Sequence, residues 1–409
     1  MSLHRSAALA DIYRSDAKIG RFLCALIFSG VAMGLYKGIQ DNYLAEIVHI
    51  DAFERGIVEF FREMPGLLLV FFLAWMYRFA ESRIFKIGIA LMGAGLVGLF
   101  LTGPGKVSVV ILMVIYSAGE HIIMPVRTSI SLDLANKDKG GASLGITSAL
   151  GHGGNIAGFL LVTGVFFLFS RLGFSRESLF RFKAVYAASA VLIAGALFVC
   201  FALRDKGQKV RRRRFYFAKK FSTFYMLEVF YGARKQIFIT FAPYVLILNY
   251  GATTSVISLL LAISALFSFI ASPLIGRLID HVGYKFVMVT DTLILVVVCL
   301  LYGFAHRIFP LHIAFYVVCA NYVLDAIISV ASIASNVYVQ SIAANQEELT
   351  ATISTGISVN HVISILIALL GGLIWKMVGI EVLFTLSAVL GLINSLYAAT
   401  IKKEGLSTK

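Results

Sequence analysis

The chain has 409 residues, 59% of them hydrophobic and only 14% charged, with a formal net charge of +14. Average globular chains carry about 25% charged residues, and the mean hydropathy here is +0.87, which argues against a soluble enzyme of this size. An outer-membrane β-barrel is disfavoured too, because its strands alternate apolar and polar residues, whereas the apolar runs here are continuous.

The apolar content, roughly 240 side chains, is what twelve spans of about 20 residues require. In chain order, hydropathy predicts helices over 19–48, 56–79, 84–103, 107–134, 142–169 and 181–204, then 219–248, 252–278, 284–306, 311–343, 349–377 and 382–401. The first apolar run is too long for a signal-peptide core, so helix 1 is expected to be retained. Twelve spans put both termini on one side. With the termini inside, the inner segments and helix ends hold 23 Lys and Arg and the opposite ones 8, which predicts cytoplasmic termini in a plasma membrane (the inner membrane of a Gram-negative cell). The longest inner connection, 205–218, carries Arg211, Arg212, Arg213 and Arg214. It divides the chain into a six-helix bundle over 1–204, a cytoplasmic basic linker over 205–218 and a second bundle over 219–409. The arginine run reads as a topology anchor that can also meet anionic lipid headgroups, not as a nucleic-acid site. Cys24, Cys200, Cys299 and Cys319 lie in apolar runs without metal-like spacing and read as small hydrophobes. No metal and no cofactor is expected.

The two halves repeat. Gly34-Leu35-Tyr36-Lys37 on helix 1 matches Gly232-Ala233-Arg234-Lys235 on helix 7 at an offset of 198. His152 on helix 5 matches His361 on helix 11 at 209, each following a run of small residues. Two matches at nearly equal offsets support two homologous six-helix halves.

Between helices 8 and 9 the chain reads Gly276-Arg277-Leu278-Ile279-Asp280-His281-Val282-Gly283-Tyr284-Lys285. This resembles the G-x-x-x-D-[RK]-x-G-x-[RK] signature of the major facilitator superfamily, with His281 the one mild departure. Two glycines suit a tight loop, and Asp280 suits a helix N-terminus. The loop between helices 2 and 3, over 74–83, lacks the first glycine and the aspartate, although Arg83 keeps a basic element. The Gly-Pro antiporter signature of helix 5 is also missing; Gly151-His152-Gly153-Gly154 stands there. The resemblance implies alternating access around a site near the bilayer midplane. Helices 1, 4, 7 and 10 would line it, helices 2, 5, 8 and 11 would stand beside it, and Gly276, Asp280, Gly283 and Lys285 would form a gating loop.

A charge at the bilayer centre costs on the order of 2.5–3.5 kcal/mol, so charges inside helices must be paired, hydrated or used. Five basic residues lie deep: Lys37, Arg62, Arg127, Arg234 and Lys235. Lys37 and Lys235, at mid-height on helices 1 and 7, read either as an anion site or as cations paired with internal acids. Only one of the adjacent Arg234 and Lys235 can face a given cavity, since neighbours on a helix point about 100° apart. His152, His361 and Asn360 join Lys37, Lys235, Arg234 and Arg127 as candidate substrate contacts. Glu120, Glu228, Asp325 and Asp41 are candidate proton carriers or counter-ions. Glu59, Arg62 and Glu63 share a helix face and read as a network that Asp41 could join.

The sequence therefore predicts an all-α polytopic membrane protein with twelve transmembrane helices in two pseudo-symmetric six-helix bundles. It is expected to be a monomeric secondary active transporter of a small organic or phosphorylated anion, with a proton as driving ion and membrane lipid as its other partner. No phosphate-binding loop, nucleophile–base pair or metal-ligand spacing supports an enzyme. Two alternatives remain open: a proton-driven exporter of amphipathic drugs using Glu120 or Asp325, and a receptor or lipid-handling protein on the same fold.

Overall fold

The computed structural model describes residues 11–13, 17–76, 79–136, 138–201, 203 and 217–401. The arginine run 211–214 lies outside the described residues. Among the described residues twelve long helices follow one another: α1 Ala17–Asn42, α2 Ala52–Trp75, α3 Glu81–Leu101, α4 Lys106–Leu134, α5 Gly140–Arg171, α6 Leu179–Cys200, α7 Ser222–Leu248, α8 Thr254–Val282, α9 Tyr284–Ile308, α10 Leu311–Ile342, α11 Gln346–Val378 and α12 Ile380–Ala399. No strand occurs among the described residues; Tyr13 and Ala135 form an isolated bridge. Helices are the natural outcome, because each satisfies its own backbone hydrogen bonds where lipid offers no partner. Ten of the twelve are apolar enough to cross a membrane by length and composition alone. The exceptions, α2 and α7, are the helices that carry Arg55, Glu59, Arg62 and Glu63, and Glu228, Arg234 and Lys235.

Local chemistry sets several helix ends. Asp51 accepts from the amide of Glu54 at 2.7 Å while Glu54 accepts from the amide of Asp51 at 2.9 Å, a reciprocal cap for α2. Asn345 caps α11 by accepting from the Glu348 amide at 2.9 Å. The α8–α9 connection is shorter than the hydropathy predicts. α8 runs on to Val282, so Gly276 and Asp280 are helical and Gly283, at φ +88°, makes the turn alone. α1 continues into a π-helical turn over Tyr43–Ile47, and α10 is interrupted by a 3₁₀ turn over Val330–Ser332.

The helices gather into two compact units. The first takes Met1–Val48, Met64–Arg212 and Thr254–Ala262; the second takes His49–Glu63, Arg213–Thr253 and Ile263–Lys409. Within the first, α1 packs on α5 and α6, and α3 on α4 and α6. Within the second, α7 packs on α11 and α12, and α9 on α10 and α12. Adding six to each helix number converts one pattern into the other. Side chains repeat it as well: Lys86 on α3 donates to the Leu203 carbonyl after α6, and Lys285 on α9 donates to the Ile401 carbonyl after α12, each at 2.7 Å.

In the first unit α1 and α5 meet with almost no side chain between them. A Cβ on Gly34 would sit 2.3 Å from the Asn155 carbonyl oxygen, and one on Gly158 would sit 2.4 Å from that of Val31. Small residues let helix backbones approach this closely where no hydrophobic effect drives association. Gly158→Ala is expected to lower stability by about 1–3 kcal/mol through overpacking. Gly164→Ala, where an added Cβ meets nothing within 4 Å, should leave it unchanged. Thermal melting of both purified variants beside the wild type checks the pair.

Candidate functional site

The α1–α5 contact fixes the first of two polar cavities. Gly30, Gly34 and Lys37 are spaced i, i+4, i+7 on one face of α1, so the stripe that meets α5 also aims Lys37 toward it. Lys37 opens into a cavity of about 220 Å³ together with Glu120 and Arg127 of α4 and His152 and Asn155 of α5. Lys37 Nζ donates to Glu120 Oε1 at 2.5 Å. Glu120 is buried, whereas the Lys37 side chain keeps 35% of its exposure. Arg127 interacts electrostatically with the same carboxylate, and His152 stands in the field of both Arg127 and Lys37. Two cations and an imidazole thus surround one carboxylate.

The second unit holds a cavity of about 200 Å³ lined by Glu228, Tyr231 and Lys235 of α7, Ser332 and Asn336 of α10, and Asn360 and His361 of α11. Glu228 accepts from Asn360 Nδ2 at 3.3 Å and from Ser335 Oγ at 3.2 Å, and interacts electrostatically with Lys235. The repeat-related pairs Lys37 and Lys235, and His152 and His361, therefore line one cavity each. In the second cavity Glu228 matches the charge of Lys235; in the first, cations exceed acids.

Arg234 turns away from that cavity. It is 2% exposed and donates to Ser329 Oγ at 2.9 Å, with Asp325 Oδ1 at 3.5 Å and Asp291 Oδ2 at 3.9 Å. The geometry sets Arg234 and Asp325 in one ionic group, apart from Lys235. Asp291, on α9, is absent from the sequence reading. A lone carboxylate inside the apolar run of helix 9 was the available signal.

Glu59, Arg62 and Glu63 do share a face of α2, and the network around them is larger than the spacing suggests. Arg55 donates to Glu59 at 2.8 Å, Arg62 donates to Glu59 and to Glu63, and Gln236 of α7 donates to Glu59 at 3.1 Å. His361 Nδ1 lies 3.1 Å from Glu63 Oε2. Arg55 also stands over the Tyr244 ring. Arg55 lies just before the span 56–79 that hydropathy predicts, and it is 1% exposed. Asp41 is buried on α1.

Of the segment 276–285, Asp280 is exposed on the last turn of α8, and Gly276 has open space around its α-carbon. Lys285 ties the start of α9 to the end of α12. All four cysteines are free; Cys200 and Cys299 are buried, Cys24 and Cys319 half-buried.

These observations meet what is known of other proteins. The family model of the Major Facilitator Superfamily matches residues 224–406. No curated protein matches the sequence. Solved structures share the fold at low identity. The nucleoside transporter NupG is 14% identical, with a TM-score of 0.74 over 95% of this chain and 100% of that one. The peptide transporter POT in complex with alafosfalin is 14% identical, with a TM-score of 0.70 over 93% and 94%. The D-xylose-proton symporter is 14% identical, with a TM-score of 0.71 over 94% and 96%. The second half of the chain thus carries the superfamily's sequence pattern, and the whole chain shares the twelve-helix fold of these transporters. It is a multi-pass membrane protein.

Glu59 is fully buried and accepts from Arg55, Arg62 and Gln236. Removing one partner of a buried ion pair leaves an uncompensated charge and costs roughly 3–5 kcal/mol. Glu59→Gln is therefore expected to lower the melting temperature sharply, while Asp280→Asn, at an exposed position, should not. Melting of both variants in the same detergent checks this.

Proposed function

We propose that the protein is a secondary active transporter of a small organic or phosphorylated anion, working by alternating access and driven by protons. The observation that carries the reading is the first cavity, where Lys37 and Arg127 face the single carboxylate Glu120 beside His152. A desolvated site with surplus positive charge attracts an anion, and a guanidinium with an ammonium is a donor set suited to carboxylate or phosphate. In the empty state Glu120 serves as the internal counter-ion. A proton on Glu120 frees both cations, so an arriving anion and a proton favour each other's binding.

The volume fits a small solute, since cavities for drug-sized ligands run to about 300–1,000 Å³. The similar folds named above belong to transporters of nucleosides and of peptides and to a D-xylose-proton symporter, which supports a small polar cargo and a proton as its partner. The second cavity, with Lys235, Asn360 and His361, is proposed as a further surface for the same class of solute. Cytoplasmic termini in a plasma membrane follow from the 23 against 8 distribution of Lys and Arg. Gly276, Asp280, Gly283 and Lys285 are proposed to act together as the gating segment, with Gly283 as its turn and Lys285 as its tie.

The test is thermal stabilisation by a panel of sugar phosphates, di- and tricarboxylates, amino acids, sugars and lipophilic cations. A ligand that binds only the folded state stabilises by about 2.7 kcal/mol at a hundred times its Kd. An anion is expected to raise the melting temperature of the wild type but not of Lys37→Ala or Arg127→Ala. Stabilisation by lipophilic cations alone, with both variants responding like the wild type, would replace this reading with drug export.

A further inference from the structure

We infer that Asp291, Arg234 and Asp325 form a proton-binding site set behind the second cavity, in which one of the two aspartates carries a proton. The sequence reading left Asp291 out, and the proposed function places its proton on Glu120 in the other unit.

The argument starts from charge. Arg234 is 2% exposed and Asp325 9%. Two carboxylates against one guanidinium leave one negative charge without a counter-ion in a segment that crosses the membrane. Moving an ionised carboxylate out of water costs several kcal/mol even after relaxation, and two acids that share one site cannot both ionise freely. The contacts agree. At 3.5 and 3.9 Å, neither carboxylate makes a close pair with Arg234. Among the described residues, Asp325 Oδ1 and Asp291 Oδ1 accept no hydrogen bond. Asp291 also borders a void of about 30 Å³, room for about one water molecule.

The surrounding groups leave the proton to these two aspartates. From α7 come Arg234, Tyr231 beneath its guanidinium, and Glu228, which already accepts from Asn360 and Ser335. From α9 come Cys299, in the field of Arg234 and Asp325, and Tyr302, in the field of Asp325. From α12 comes the amide of Asn394, whose Oδ1 likewise accepts no hydrogen bond. A metal cation is a poor occupant, because it would lie against the fixed charge of Arg234. The proton comes from water and adds to one carboxylate oxygen; one negative charge is removed and no other bond changes.

The site is wired to the cavity in front of it. Arg234 and Lys235 are neighbours on α7, one facing the aspartates and the other the cavity. Arg234 also donates to Ser329, just before the 3₁₀ break of α10, and Ser332 within that break lines both the void and the cavity. Loss of the proton would draw Arg234 toward a second carboxylate and load the α10 break. The aspartates would thus be positioning residues for the cavity, acting through Arg234.

The test is infrared spectroscopy of the full-length protein in detergent, without any substrate. The wild type at neutral pH is expected to show the carbonyl stretch of a protonated carboxyl. Asp291→Asn and Asp325→Asn should each lose one carboxyl's intensity from that band, because either variant leaves a balanced pair. Both substitutions keep side-chain shape, melting confirms folding, and either variant alone decides if the other does not fold. The inference is overturned if both variants retain the full band, or if it weakens only in Glu228→Gln. Selective stabilisation by sodium over potassium at constant ionic strength, lost in the variants, would also overturn it in favour of a metal cation. None of these outcomes depends on an anion being the cargo, so a failure here leaves the first cavity's reading untouched.

Discussion

An ionised side chain inside a membrane protein must be paired, hydrated or used, and most of this architecture answers that requirement by pairing. Lys37 finds Glu120, Glu59 holds Arg55 and Arg62, and Arg234 lies between Asp291 and Asp325. Each group ties together helices distant in sequence, α1 to α4 in the first case and α7 to α9 and α10 in the last. The groups are unequal in one respect. Where charges balance, as around Glu59, the result is a structural clamp. Where they do not, as in the first cavity and around Arg234, the imbalance supports the proposed binding of an ion. The surplus is positive in one place and negative in the other, which is what binding an anion at one site and a proton at another requires.

Close helix contact makes the pairing possible. Gly34 and Gly158 bring α1 and α5 together at backbone distance, and this sets the reach of Lys37 to Glu120 and the place of His152 opposite. The second unit repeats the packing of α1, α5 and α6 with α7, α11 and α12 but not its charges. Lys235 and His361 keep their counterparts' positions, while Lys235 has Glu228 as its partner and His361 has Glu63. The repetition thus lies in the scaffold, and chemical identity lies in the acids added to it.

The helices were legible in the sequence because lipid demands long apolar runs, and hydropathy reads length directly. The cavity-lining pairs Lys37 with Lys235 and His152 with His361 were legible through the internal repeat. Pairing was less so. Hydropathy assigns a depth to Arg234 but not a face, and the face decides that it meets two aspartates instead of the cavity beside Lys235. Asp291 escaped for the same reason, since an acid looks isolated until a tertiary partner is known. Arg55 lies just outside the span 56–79 that hydropathy predicts, and only the fold shows that it is buried beside Tyr244. The extra helical turn through Asp280 was missed because polar residues at a helix end lower hydropathy without breaking the helix.

The central claim is that Glu120 stands in for the cargo's negative charge. Calorimetric titration of the stabilising anion into the wild type and Glu120→Gln, at several pH values, tests it most directly. The account predicts that wild-type affinity rises as pH falls, and that Glu120→Gln binds the anion at least as tightly with most of that pH dependence gone. Loss of anion binding in Glu120→Gln, with Lys37→Ala binding normally, would contradict it.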